Sequence, residues 1–515
     1  MEEIPAACFS LLGKGGDSMG TMISYAETYR QTGFEEKPFG AVDSLILSQI
    51  SYYDFTGSDF EQETFTGSIG GFLTRHAQQM TTGLVTQKND CQLVMHMGEG
   101  TRFGRLRACR YVEVTDREEG EQFSAVTFEL EANRYYIAFR GTDNSVVGWK
   151  EDFCLSFCPQ IPAQRSALLY AKAVMEQFPG QFYLGGHSKG GNLAVYAAAG
   201  LPKELQERIA GVFSHDGPSL CRDFMDRDAY ERIQPLIRKT VPQSSVIGMI
   251  WQDDDQYQVV SNSADVFFQH DPYTWEVSDG TFVLADRVDA FSRHTKQALD
   301  SWLDELAVEK RETIVNTVFH VIERIGIQEF LELKEQWLQR TKGLISGMSE
   351  LSSEDRKLVF HALVRLVRIL ASEVRLAVIE EGAVRSGQIR QTVKETKEAQ
   401  MEWIQRLQQA VKEEGSAQIE RIQHLQQTVK EEGSTQIERI PSSIGKPLCM
   451  VMFVFLLLDG FVSALALKRY TDRNRGTAVQ NHFWRYFDRH YPDQRIEHRY
   501  QNLKICSAVV KEHIA

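Results

Sequence analysis

The segment Leu184-Gly-Gly-His-Ser-Lys-Gly-Gly191 is where chemistry is most legible in this chain. It contains a G-x-S-x-G pattern, Gly186-His187-Ser188-Lys189-Gly190, placed after a strand-like run and before a small, helix-prone one. Glycines flanking a serine at that spacing permit a tight strand-to-helix turn. Such a turn exposes the hydroxyl at a sheet edge and aims the following amides at one point. A serine hydroxyl is a poor nucleophile until a base takes its proton and donors hold the charge that develops. The bases downstream are His215, His270 and His294. His270 is favoured, because it follows the apolar run Val266-Phe-Phe268 and precedes the turn-forming pair Asp271-Pro272. His294 falls in Phe291-Ser-Arg-His-Thr-Lys296, which reads as a helical surface. For the acid that orients the histidine, Asp216 ends a strand in His215-Asp-Gly-Pro218. Asp253, Asp254 and Asp255 are the alternatives, in a run that reads as a solvated loop. Each residue also admits a purely structural role: an incidental serine, a turn histidine, an aspartate that satisfies local amides.

A second motif lies 46 residues upstream of Ser188. Phe139-Arg-Gly-Thr-Asp143 ends a strand and is followed by Gly148-Trp-Lys-Glu-Asp152. Here the chain resembles class 3 lipases, in which a strand ending in F-R-G-[ST] precedes a W-x-x-D element. That resemblance implies that Thr142 donates to the oxyanion, with the amide of Lys189 as the second donor. The chain is more closely similar to the bacterial Mbeg-like family of lipase-like α/β-hydrolases. The residues that carry this are Phe39-Gly-Ala-Val-Asp-Ser-Leu-Ile-Leu-Ser-Gln-Ile50, Gly186-His-Ser-Lys-Gly-Gly191, Asp216-Gly-Pro218 and Gln269-His-Asp-Pro-Tyr-Thr-Trp275. The resemblance covers roughly residues 20–340 and implies His270 as the base. It departs at the acid: class 3 lipases carry an Asp after the strand equivalent to Lys239-Thr-Val-Pro242, where this chain has Gln243-Ser-Ser245.

The elements that must position these residues follow from pattern. Ser124–Leu130 alternates apolar and polar, and Tyr135–Phe139 follows after a turn, which predicts a hairpin. Ala163–Phe178 is amphipathic and ends at Pro179-Gly180, which predicts a helix. Gln181–Leu184, Gly211–Ser214 and Ser245–Ile250 read as strands, and Asn192–Ala199 as a helix. Strands alternating with helices imply an α/β sheet with helices on its faces. The expected fold is therefore an α/β-hydrolase fold with a mostly parallel sheet over residues 1–300.

Beyond that domain the texture changes. Proline is absent from Ser301 to Ile440, which predicts a helical extension over 301–375 and a long helix over 376–440. Within the long helix, Gln391-Thr-Val-Lys-Glu, Gln409-Ala-Val-Lys-Glu and Gln427-Thr-Val-Lys-Glu recur every 18 residues. At about 100° per residue, that spacing stacks the copies on one face. The face formed by Leu407, Val411, Ile419, Ile422 and Leu425 suits a coiled coil, through self-association or a protein partner, although Gly415 and Gly433 weaken the helix. Leu448–Leu467, within an apolar segment at 447–468, has the length of a membrane span but contains Asp459, so it reads equally as a buried core helix.

The tail over 469–515 is basic and aromatic. From Lys468 to Ala515 there are 10 Lys/Arg against 5 Asp/Glu, whereas the whole chain of 515 residues carries a net charge of −13. That overall acidity argues against a nucleic-acid binder. The eight cysteines are scattered without a CxxC, and the first residues lack the pattern of a secretory signal. A cytoplasmic location, with membrane contact through 448–467, is expected.

These readings converge on a serine hydrolase of acyl esters, or of lipids as the resemblance implies, with no metal or cofactor. In it Ser188 attacks, His270 shuttles the proton, Asp216 orients His270, and Thr142 and Lys189 hold the oxyanion. The competing readings are a catalytically inactive hydrolase-fold scaffold and a membrane-tethered helical interaction protein.

Overall fold

The computed structural model describes residues 20–324 apart from 77–86, 132, 144, 222–225, 252–255 and 265–268, together with part of 352–365. The repeat helix, the apolar run and the basic tail lie outside the described residues. Among the described residues, no helix is long and apolar enough to cross a membrane.

The centre of the molecule is an eight-stranded sheet. Its strands are β1 (Arg107–Asp116), β2 (Glu121–Glu131), β3 (Arg134–Phe139), β4 (Gln181–His187), β5 (Ile209–His215), β6 (Ile237–Pro242) and β7 (Gln258–Val260), with β10 (Leu284–Ala285) at the edge. A separate pair, β8 (Val277–Ser278) and β9 (Thr281–Phe282), forms a small hairpin. Neighbours from β3 to β7 run parallel, while β1, β2 and β10 join antiparallel at the two edges. The sheet is thus mostly parallel, and the predicted 124–139 hairpin is its β2–β3 pair.

Helices cover both faces. Along β3, Tyr136 and Ala138 face one core while Tyr135, Ile137 and Phe139 face the other, the two-residue period of a strand buried on both sides. On the first face lies α1 (Ala41–Ile50), in which every residue from Val42 onward is buried. Between β3 and β4 the chain forms α2 (Val146–Cys154) and then α3 (Pro162–Gln177). On the second face α3 packs beside α4 (Lys189–Gly200). The start of α3 has proline at its first position, and Gln164 Oε1 accepts the Ile161 amide at 3.1 Å. Its buried Ala163, Ala167, Ala171 and Val174 form one stripe. After the sheet come α5 (Ala290–Asp304) and α6 (Val308–Arg324), part of the predicted helical extension.

One predicted strand is corrected. Ser245–Ile250 is not extended; the last long strand of this region is β6, and the chain then turns, with the Ser245 amide bonded to the Pro242 carbonyl at 3.1 Å. The apolar Val246, Ile247, Met249 and Ile250 suggest a strand, but Ser245 and Gly248 are committed to gripping Asp216, which requires the turn.

Candidate active site

Ser188 sits alone between the last residue of β4 and the first of α4, with φ 58° and ψ −131°. A non-glycine residue there is strained and persists only where its surroundings over-determine it. The flanking glycines make the turn physically feasible. A Cβ on Gly190 would lie 2.1 Å from the Phe139 carbonyl oxygen, and one on Gly186 would lie 2.3 Å from the Gly190 carbonyl carbon. The pattern read in the sequence is therefore a packing requirement between β3, β4 and α4.

Strand register brings the other residues to the same edge. His187 pairs with His215 across β4 and β5, so Ser188 and Asp216 leave the sheet side by side. Asp216 also has positive φ, 49°. Its Oδ2 meets His270 Nδ1 at 2.6 Å, and its Oδ1 accepts from Ser245 Oγ at 2.5 Å and the Gly248 amide at 3.1 Å. Because an ionised carboxylate only accepts, Nδ1 carries the proton and Nε2 is left as the basic nitrogen. Nε2 is buried and without a hydrogen-bond partner among the described residues, so its bond to Ser188 is not formed. The His270 ring packs against His187, centroids 4.6 Å apart, and the His270 carbonyl contacts His187 Nε2 at 3.0 Å. The ring is thereby held beside the residue that precedes the serine.

The other candidates take different places. His215 lies within β5, with Nδ1 on Thr240 Oγ1 at 2.8 Å and Nε2 on Ser44 Oγ at 2.9 Å. Burial lowers its pKa to about 3, so it is a neutral core residue that ties α1 to the sheet. His294 lies in α5, on a helix as its sequence suggests. Asp253, Asp254 and Asp255 lie outside the described residues.

Thr142 follows β3, and its hydroxyl donates to Asp152 of α2 at 2.6 Å. The preceding Gly141 packs against the serine turn: a Cβ there would meet Ser188 Cβ at 3.2 Å and Tyr52 Oη at 2.1 Å. Lys189 is the first residue of α4, and its ammonium donates to Glu151 Oε2 at 2.7 Å. It also reaches the carbonyl and Oε1 of Gln122, both at 2.8 Å. Burial pushes the Glu151 carboxyl above its usual range, opposed by Lys189 and by the amides of Ala163 and Gln122.

Four residues at this edge are not singled out by sequence reasoning. Tyr52, carried just past the end of α1, puts its hydroxyl at Gly141, and burial raises its pKa. Glu151 precedes the Asp of the W-x-x-D element and is visible only as part of that motif. Ser245 is visible only as a departure: where class 3 lipases have an Asp, it donates to Asp216 instead. Gly248 carries no signal at all.

Thr142, Ser188, Asp216 and His270 all fall in one segment that is shared with known proteins. Residues 97–320 match the Mbeg1-like family model. The matched segment spans the sheet from β1 to β10 and begins after α1. Among solved structures, the crystal structure of M37 lipase aligns with 14% identity and a TM-score of 0.25, covering 40% of this chain and 67% of that one. No curated protein matches the chain.

Proposed function

We propose that the chain is a serine hydrolase of acyl esters built on an α/β-hydrolase fold. The observation that carries this reading is the Asp216–His270 pair, which leaves a buried, unpartnered Nε2 at the sheet edge where the strained Ser188 turn emerges. In the reaction, His270 Nε2 takes the Ser188 proton as Oγ attacks the acyl carbon. Asp216 stabilises the imidazolium, and the tetrahedral oxyanion rests on the amides of Lys189 and Thr142. His270 then protonates the leaving alcohol. Water, activated by the same histidine, attacks the acyl-enzyme and releases the acid. Hydrogen bonds in such sites often tighten only when substrate is bound, consistent with an unformed Ser188–His270 bond. Acylglycerols and other lipid esters are the substrate class suggested by the lipase resemblance.

A fluorophosphonate probe should label the wild-type chain at Ser188 and leave Ser188→Ala unlabelled. A folded wild-type protein that neither labels nor hydrolyses p-nitrophenyl butyrate would instead establish the second reading, an inactive hydrolase-fold scaffold. The unformed serine–histidine bond is the observation that favours that alternative.

A further inference from the structure

We propose that Glu151 is a positioning residue of the oxyanion hole: through the Lys189 side chain it fixes the Lys189 backbone amide on which the developing charge rests. This inference rests on the hydrolase reading above.

Lys189 is badly placed by ordinary criteria. The N-terminus of a helix carries roughly +0.5 of an elementary charge, so a cation in the first turn is unfavourable. The side chain does not escape to water, since only 1% of it is exposed, and the Glu151 side chain is fully buried. It is retained because its three ammonium protons meet three oxygens, one from Glu151 and two from Gln122. Glu151 is itself fixed from two further directions, by the Gln122 amide at 3.1 Å and the Ala163 amide at 2.8 Å. The result is a cross-tie between α2, β2, the start of α3 and the first residue of α4.

Stability does not explain such a pair. Taking two charges out of water costs about as much as their attraction returns, and apolar residues of similar volume often do as well. What a buried ion pair does supply is direction and distance. Asp152, the next residue on α2, holds the Thr142 hydroxyl at 2.6 Å. Consecutive side chains on a helix diverge by about 100°, so one turn of α2 reaches both proposed donors at once. A displacement of about 1 Å in such a site costs up to roughly 100-fold in rate.

The test uses the full-length chain. Glu151→Gln alone leaves the Lys189 charge buried and unpaired, and that variant is expected to lose stability. The informative variant is the double Glu151→Gln, Lys189→Met. The single glutamine carbonyl oxygen accepts from one of the two backbone amides and the other loses its acceptor, methionine replaces the lysine stem, and the Lys189 backbone amide remains in place. If the proposal holds, the double variant still unfolds cooperatively, lower than wild type by no more than one buried amide without an acceptor costs. Its kcat on p-nitrophenyl butyrate falls by about 10- to 100-fold with KM within about twofold. Its affinity for a boronic acid, which mimics the tetrahedral intermediate, weakens by a similar factor. A folded double variant with wild-type kcat and boronate affinity overturns the proposal and leaves the hydrolase reading standing. A wild-type chain with no hydrolysis and no labelling overturns both.

Discussion

Asp216 is held so firmly that its orientation is part of the site. One oxygen faces His270 while the other is shared by Ser245 and Gly248, and a Cβ on Gly248 would approach that oxygen to 2.2 Å. Asp216→Asn should therefore preserve the packing but offer His270 the wrong partner. We expect kcat to fall by about 10⁴-fold with little change in KM, read from ester hydrolysis across a substrate series. Ser245→Ala removes one of three bonds to the carboxylate and should cost no more than about tenfold in kcat. Equal losses in the two variants would mean that Asp216 acts through its fold contacts and not through His270. Ser188, His270 and Asp216 are legible in the sequence because glycine spacing, turn residues and strand ends carry a local signal. Ser245 shows only as a departure from the lipase pattern: its role as a donor becomes readable only when the distant carboxylate that it faces is known.

At the scale of elements, register does most to make the site legible. The β2–β3 hairpin and the β4–α4 turn follow from alternation and glycines, and they fix where Gly141, Ser188 and Asp216 emerge. The 245–250 segment has the composition of a strand yet folds as a turn, because its course is dictated by Asp216. The loop after His270 is likewise shaped by a distant partner. There Pro272–Thr274 forms a single helical turn, and the Tyr273 hydroxyl donates at 2.6 Å to Asp90 Oδ1, on the helix Gln87–Met95. Asp90 gives that loop a pH dependence. Burial raises its carboxyl to about 7, opposed by the bonds from Tyr273 and Gln49, and burial likewise raises Asp271 to about 6. An unfolded Asp90 releases its proton near 3.8, so between that value and about 7 the folded state binds more protons than the unfolded one. The associated stability is fully present below this window and is lost as pH rises through it, by at most about 1.4 kcal/mol per pH unit for one group. Asp90→Asn should flatten this slope, so the variant gains on wild type between pH 5 and pH 8. Urea unfolding at the two pH values checks this, and parallel shifts in both proteins would assign the slope to other groups.

For the whole molecule, the described residues form the eight-stranded sheet, the small β8–β9 hairpin and the covering helices, and residues 359–365 add further contacts to them. The Trp302 indole donates to the Ala362 carbonyl at 3.0 Å, Arg365 makes two bonds to the Glu305 carboxylate at 2.7 and 3.0 Å, and Val359 and Ala362 are buried. The composition change near residue 300 therefore does not mark the end of the folded unit. A fragment ending at residue 345 would lack the Ala362 carbonyl that Trp302 donates to and the buried Val359 and Ala362, whereas one ending at 370 would keep them. The exposed Arg365–Glu305 pair adds little by itself, so the difference rests on the apolar contacts. We expect the 1–370 fragment to retain the ester hydrolysis and unfolding temperature of the full chain within a few degrees. The 1–345 fragment should unfold earlier, by an amount equivalent to about 2–3 kcal/mol for the lost apolar contacts. If both fragments unfold together with the full chain, the contacts at 359–365 contribute nothing to the stability of the sheet domain.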